Sequence, residues 1–129
     1  MKKILFIFTT SFFLNLIWEN VHSVLYIGYK GGQITELILL HATFVDAVII
    51  TLITLPFIFL PQFKKQSWLI IPLGIVVSVL IEYWGLGTGR WAYNSFMPVI
   101  PILQVGLTPT IQLGFIGFGS LKLVDLFLI

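Results

Sequence analysis

The stretch from Ile34 to Leu60, ITELILLHATFVDAVIITLITLPFIFL, decides the fold. Its ionisable side chains are Glu36, near one end, and His41 and Asp46; the rest is almost wholly apolar. A membrane-spanning helix needs about 20 mostly apolar residues, and this run exceeds that. Working outward, three more segments meet the same requirement: Ile4 to Ile27, Trp68 to Leu86 and Pro109 to Ile129. Helices satisfy their own backbone hydrogen bonds, as hydrocarbon demands. No alternating strand pattern with turn punctuation appears, which speaks against a β-barrel. The reading is all-α: a polytopic membrane four-helix bundle forming one transmembrane domain over residues 1–129.

Composition agrees. Of 129 residues, 58% are hydrophobic and only 9% charged, and mean hydropathy is +1.06. A soluble domain carries about 25% charged residues, so a water-facing surface is excluded, and with it a cytosolic enzyme or a disordered chain. The cysteine count is zero, which excludes disulfides, thiolate catalysis and thiolate metal sites. The net charge of +2 sets topology rather than binding nucleic acid, and no nucleic-acid partner or cofactor is expected.

Lys2, Lys3, Lys64 and Lys65 fall on one side of the bundle, with Lys122 near it; Lys30 and Arg90 fall on the other. The positive-inside rule then puts both termini in the cytoplasm of a cell inner (plasma) membrane protein. Met1-Lys2-Lys3 before an apolar run also has the look of a signal peptide, but Trp18-Glu19-Asn20 suits a retained first helix better. Tyr29 to Gln33 reads as a tight glycine turn and Pro61 to Ser67 as a short basic loop. Thr108 reads as an N-cap before a first-turn Pro109. The segment Gly87 to Leu107, apolar and broken by Pro98 and Pro101, is expected outside, as a re-entrant lid or a loop among headgroups.

Ionisable groups inside a spanning helix are costly and mark functional sites. Ser11, Asn15, Glu19, His22 and Tyr26 recur every three or four residues and share one helix face. So do Gly74, Ser78 and Glu82, and on the last helix Thr108, Gln112, Phe115, Gly119 and Lys122; Thr43 and Asp46 are neighbours on the second. Glu19 lies about 24 Å from the first lysines at 1.5 Å per residue. Glu19, His22, Asp46, Glu82 and Gln112 are therefore expected to converge in the outer half of the bundle, with Arg90, Trp91 and Tyr93 above them. Lys122 and Asp125 read as a local ion pair.

Four chemistries fit such a cluster. It can be interhelical glue, although such bonds average under about 1 kcal/mol in membranes. It can hold metal through Glu19-x-x-His22, as di-iron bundles do, but a second such pair is missing: Gly85 stands where its His would be, and His41 points about 140° from Asp46. The expected metal set is therefore none. It can perform acid–base chemistry, Glu19, His22, Glu82 and Asp46 moving protons while Arg90, Trp18, Tyr26, Trp91, Tyr93 and Gln112 bind substrate. It can couple protons to transport in a dimer; the four-span layout is similar to that of small multidrug resistance transporters, without their glycine-rich second helix.

Glu82-Tyr-Trp-Gly85-Leu-Gly-Thr88-Gly89, followed by Tyr93, resembles a stretch of membrane carotenoid hydratases, with Arg90-Trp91-Ala92 after the Thr-Gly. The overall layout is similar to that of small bacterial four-span membrane proteins. The resemblance to the hydratases implies acid-catalysed addition of water to an isoprenoid double bond, with Glu82 as an acid. The expectation is an outer-leaflet cavity handling a lipid or isoprenoid-like molecule, Glu19 and Glu82 its central pair. Two close carboxyls divide acid and base roles, and Arg90 is expected to pair with Glu82 or with an anionic headgroup. The alternatives are a dimeric proton-coupled transporter and a structural or partner-binding membrane protein. Gly114, Gly117 and Gly119 permit close helix contact and point to a homodimer or to packing within one chain.

Overall fold

The Thr35 hydroxyl accepts the Ile38 N–H at 3.3 Å, the N-cap arrangement that starts a helix. From it α2 runs Glu36–Phe59. The computed structural model describes residues 1–128. Its other long helices are α1 (Lys2–His22), α3 (Ile70–Gly87) and α4 (Leu107–Phe127). All four are long and apolar enough to cross a membrane. Ile129, the last residue of the expected fourth span, lies outside the described residues.

The helices are packed unequally. α4 is the most enclosed: α3 lies along it, α1 and α2 form a hairpin, and both of these also meet α4. α2 and α3 hardly touch, which leaves a gap between them. Ile7, Ile50, Ile70, Leu113, Ile116 and Val124 form the centre. At the α3–α4 contact a Cβ added to Gly74 would collide with the Gly114 backbone, and one at Gly114 would stand 2.5 Å from the Ile71 carbonyl oxygen. A Cβ at Gly117 would meet Ile70. Gly114 and Gly117 thus serve contact within the chain, whereas a Cβ at Gly119 would meet nothing within 4 Å.

Polarity is inverted relative to a water-soluble bundle. Ser11, Asn15, Thr43 and Ser120 are wholly buried, whereas Phe13, Ile17, Leu52, Leu80 and Leu126 face outward. Apolar outer faces around polar interiors, on four helices of spanning length, are compatible with an integral, multi-pass membrane protein.

Several boundaries differ from the sequence expectation. The first helix stops at His22; a 3₁₀ turn (Ser23–Leu25) leads into strand β1, Tyr26–Tyr29. β1 pairs antiparallel with β2, Trp91–Tyr93, setting Tyr26 opposite Tyr93 and Tyr29 opposite Trp91. A second ribbon joins β3, Val99–Ile100, to β4, Val105–Gly106. The chain is therefore mostly helical but not purely so: between α3 and α4 it forms strand β2, the β3–β4 ribbon and turns. The expected turn after Tyr29 is present, with Lys30 at φ 50° and Gly31 at φ 79°, and left-handed backbone of that kind suits glycine. The expected basic loop is a 3₁₀ helix, Pro61–Leu69. Thr108 is not a cap: α4 begins one residue earlier, and Gly106 precedes it.

Candidate functional site

Ser11, Asn15 and His22 of α1 are buried in helical phase, with Glu19 partly buried between them. Asn15 donates through Nδ2 to the Ser11 carbonyl at 2.7 Å, leaving its Oδ1 free to accept. Gln112 of α4 meets it: Gln112 Nε2 lies 2.9 Å from Asn15 Oδ1, 2.9 Å from Glu19 Oε1 and 3.0 Å from Asp46 Oδ2. A primary amide has two hydrogens, so three acceptors compete for two donors. One amide thereby ties α1, α2 and α4 together and brings Glu19 and Asp46 to a common atom.

The second Glu19 oxygen, Oε2, is 3.0 Å from His22 Nε2. His22 Nδ1 is 3.1 Å from the Thr108 hydroxyl, and that hydroxyl lies 3.5 Å from Met97 Sδ. A neutral imidazole donates from one nitrogen and accepts at the other. With Nε2–H donating to the carboxylate, Nδ1 accepts from Thr108. Thr108 thus serves the cluster rather than the helix end.

Glu82 is held differently. Its Oε1 accepts from Tyr93 at 2.5 Å and from Tyr26 at 3.2 Å, and Oε2 makes no hydrogen bond among the described residues. The Tyr93 hydroxyl in turn accepts the Gly106 N–H at 2.9 Å. The Tyr26 ring touches the rings of Tyr93 and His22, each at 5.4 Å between centroids, so the two networks abut. Burial, and then the neighbouring Glu82 carboxylate, pushes both phenols above the usual tyrosine range. The β1–β2 pairing places Tyr26 and Tyr93 opposite one another, and this ribbon builds the Glu82 site.

Glu19, His22, Asp46, Glu82 and Gln112 line one pocket of about 610 Å³, within the size range of small-molecule sites. The wall is mainly apolar: Leu37, Ile38, Ala42 and Val45 of α2 and Ile81 of α3. Leu37 and Trp84 are largely exposed on the two sides of the gap between α2 and α3. Ser78, Tyr26, Trp91 and Arg90 also line it, as does His41. Trp91 seats its indole on Gly85, where any Cβ would collide with the ring.

Not every expected contact is present. Arg90 does not pair with Glu82. Its guanidinium lies over the Trp84 ring, 4.3 Å from the centroid, and the phenols occupy Glu82 Oε1 instead. Lys122 and Asp125 do not form an ion pair; Lys122 sits 5.3 Å over the Phe118 ring. The polar stripe drawn on α4 drifts outward, because Phe115 and Lys122 are exposed. Trp18 packs against the apolar core and Tyr93 stands behind Glu82, so neither lines the pocket. Among the described residues no cluster of three or more His, Cys, Asp or Glu side chains is placed to hold a metal ion.

Sequence reasoning places Asp46 in the cluster but does not join it to Glu19 through one amide, nor does it find the apolar α2 wall. A signal for the wall is present: Ile38 and Ala42 precede Asp46 at intervals of four and continue its face. No protein-family model, curated protein or solved structure matches the chain.

Proposed function

We propose that this chain is a multi-pass protein of the cell membrane that admits a lipid or isoprenoid-like molecule between α2 and α3 and acts on it by acid–base chemistry. The observation that carries the reading is one apolar-walled pocket with Glu19, Asp46, Glu82 and His22 on its lining. A cluster serving only as glue has no need of a cavity, and its polar groups pair fully.

In this reading Lys3 and Lys64, which share a groove at one end, face the cytoplasm, and the pocket opens towards the outer leaflet. Glu19 and Asp46 meet at Gln112 and exchange protons as a pair. His22 relays through its two nitrogens. Glu82, fixed by two phenols, presents Oε2 to the substrate. The local resemblance of residues 82–93 to carotenoid hydratases supports an alkene-bearing substrate and Glu82 as a proton-transferring group.

The test uses deuterated water. Protonating and deprotonating an alkene carbon exchanges hydrogen with solvent, so purified protein incubated with geranylgeraniol or squalene is expected to raise the lipid mass. Glu19→Gln and Glu82→Gln each lower the exchange rate by about 100-fold or more, the usual weight of an acid–base group, while the protein stays folded. Loss of fold in both variants, with no exchange by the parent protein, overturns the reading. Proton-coupled flux of a lipophilic cation into proteoliposomes without chemical change would replace it with the transport reading.

A further inference from the structure

The pocket rim carries donors without acceptors. Arg90 Nε and Trp91 Nε1 are buried with no hydrogen-bond partner, as is Ser78 Oγ further along α3, and all three residues line the pocket. Arg90 is also a cation without a counterion, since no carboxylate of the described residues pairs with it. Its guanidinium carbon lies over the Trp84 ring, 4.3 Å from the centroid, and the strand pairing fixes its backbone, whose carbonyl accepts the Lys30 N–H at 2.7 Å. The guanidinium Nε thus lacks an acceptor, and the planar fork to which it belongs is the shape that matches an oxyanion.

We propose that Arg90 and Trp91 bind the oxyanion headgroup, a phosphate or carboxylate, of the lipid whose apolar part fills the gap between α2 and α3. This rests on the lipid-pocket reading and narrows its substrate class from a lipid or isoprenoid-like molecule to an anionic amphiphile. The polarity of the pocket sets the direction of the ligand. Asp46 lies ten residues into α2 from Glu36, about 15 Å along the axis at 1.5 Å per residue, whereas Arg90 follows the end of α3. The headgroup stays at the rim, and the tail carries its reacting carbons past Glu82, which neighbours the Trp91 indole, down to Glu19 and Asp46.

The experiment titrates detergent-purified protein with geranylgeranyl phosphate, geranylgeraniol or sodium phosphate, reading the fluorescence of Trp84 and Trp91, which flank Arg90. The phosphate ester is expected to bind at least about tenfold more tightly than the alcohol, as charge-assisted bidentate bonds are the strong ones. Arg90→Gln abolishes the preference and retains alcohol binding; Arg90→Lys, which keeps the charge without the fork, lowers the preference and serves if the glutamine variant fails to fold. Equal affinity for ester and alcohol, or an unchanged preference in the folded Arg90 variants, overturns the headgroup site and leaves the pocket reading standing. Binding of neither prenyl compound overturns both. Displacement of the ester by millimolar sodium phosphate assigns the site to free phosphate and overturns the lipid form.

Discussion

Tyr93 donates to Glu82 Oε1 across 2.5 Å while accepting the Gly106 N–H at 2.9 Å. One hydroxyl thus fastens the Glu82 carboxylate to the ribbon that begins α4. Tyr93→Phe removes both bonds and strands a buried N–H, a loss of about 1–3 kcal/mol. Tyr26→Phe removes only the longer 3.2 Å bond and is expected to cost about 1 kcal/mol or less. Thermal unfolding in mild detergent checks the order; a larger loss in Tyr26→Phe contradicts it.

The close approach of α3 and α4 gives a second outcome. Gly74→Ala forces a methyl group into the Gly114 backbone, and overpacking of that kind costs about 1–3 kcal/mol. Gly119→Ala meets open space and gains helix propensity of up to about 1 kcal/mol. The two alanines are therefore expected to shift the unfolding midpoint in opposite directions. A neutral Gly74→Ala would mean that the helices are free to separate at this point.

How much of this is legible in the sequence follows from periodicity. Ser11, Asn15 and His22 are buried as their spacing on α1 requires, and so are Gly74, Ser78 and Glu82 on α3. A polar residue in an apolar helix announces its face. The ribbon carries no such signal. Tyr26 to Tyr29 continues an apolar run, and its partner strand lies more than sixty residues away, so local pattern does not separate strand from helix end. The inward face of α4 escapes the pattern because that helix touches all three others and buries a wide arc. Exposed Phe115 and buried Ile116 are equally apolar, and hydrophobicity does not distinguish a lipid-facing side chain from an interior one. Charge alone assigns Arg90 to Glu82, whereas the ring it meets in the fold is that of Trp84, near the end of α3.

The two ribbon phenols give a prediction at high pH. Tyr26 and Tyr93 are both raised, by burial first and then by the Glu82 carboxylate. In the unfolded chain a phenol ionises near pH 10, so above that value the unfolded state loses protons that the folded state keeps. The stabilisation is complete below about pH 10 and is lost as pH climbs through the folded values. Stability set by these groups is thus flat near neutrality and falls in alkali. Tyr93→Phe is expected to shallow that fall, and phenolate absorbance from Tyr26 and Tyr93 should arrive only with unfolding. Early ionisation of both phenols in folded protein would contradict their burial against Glu82.

Gln112 makes the sharpest test of the carboxyl cluster, because its two amide hydrogens are the donors that Asn15, Glu19 and Asp46 share. Gln112→Leu keeps most of the volume and removes the amide donor from three oxygens that face one another. Unsatisfied buried polar groups cost about 1–3 kcal/mol each, so this variant is expected to lose more stability than Asp46→Asn. The asparagine change returns an NH₂ group to the same spot. In the Gln112→Leu background Asp46→Asn should therefore restore part of the loss, with a coupling of about 0.5–3 kcal/mol, as for residues in one hydrogen-bond network. Thermal unfolding of the four proteins of this cycle measures it. Simple additivity would mean that Gln112 does not bridge Glu19 and Asp46, and the pairing of those two carboxyls through it would fall.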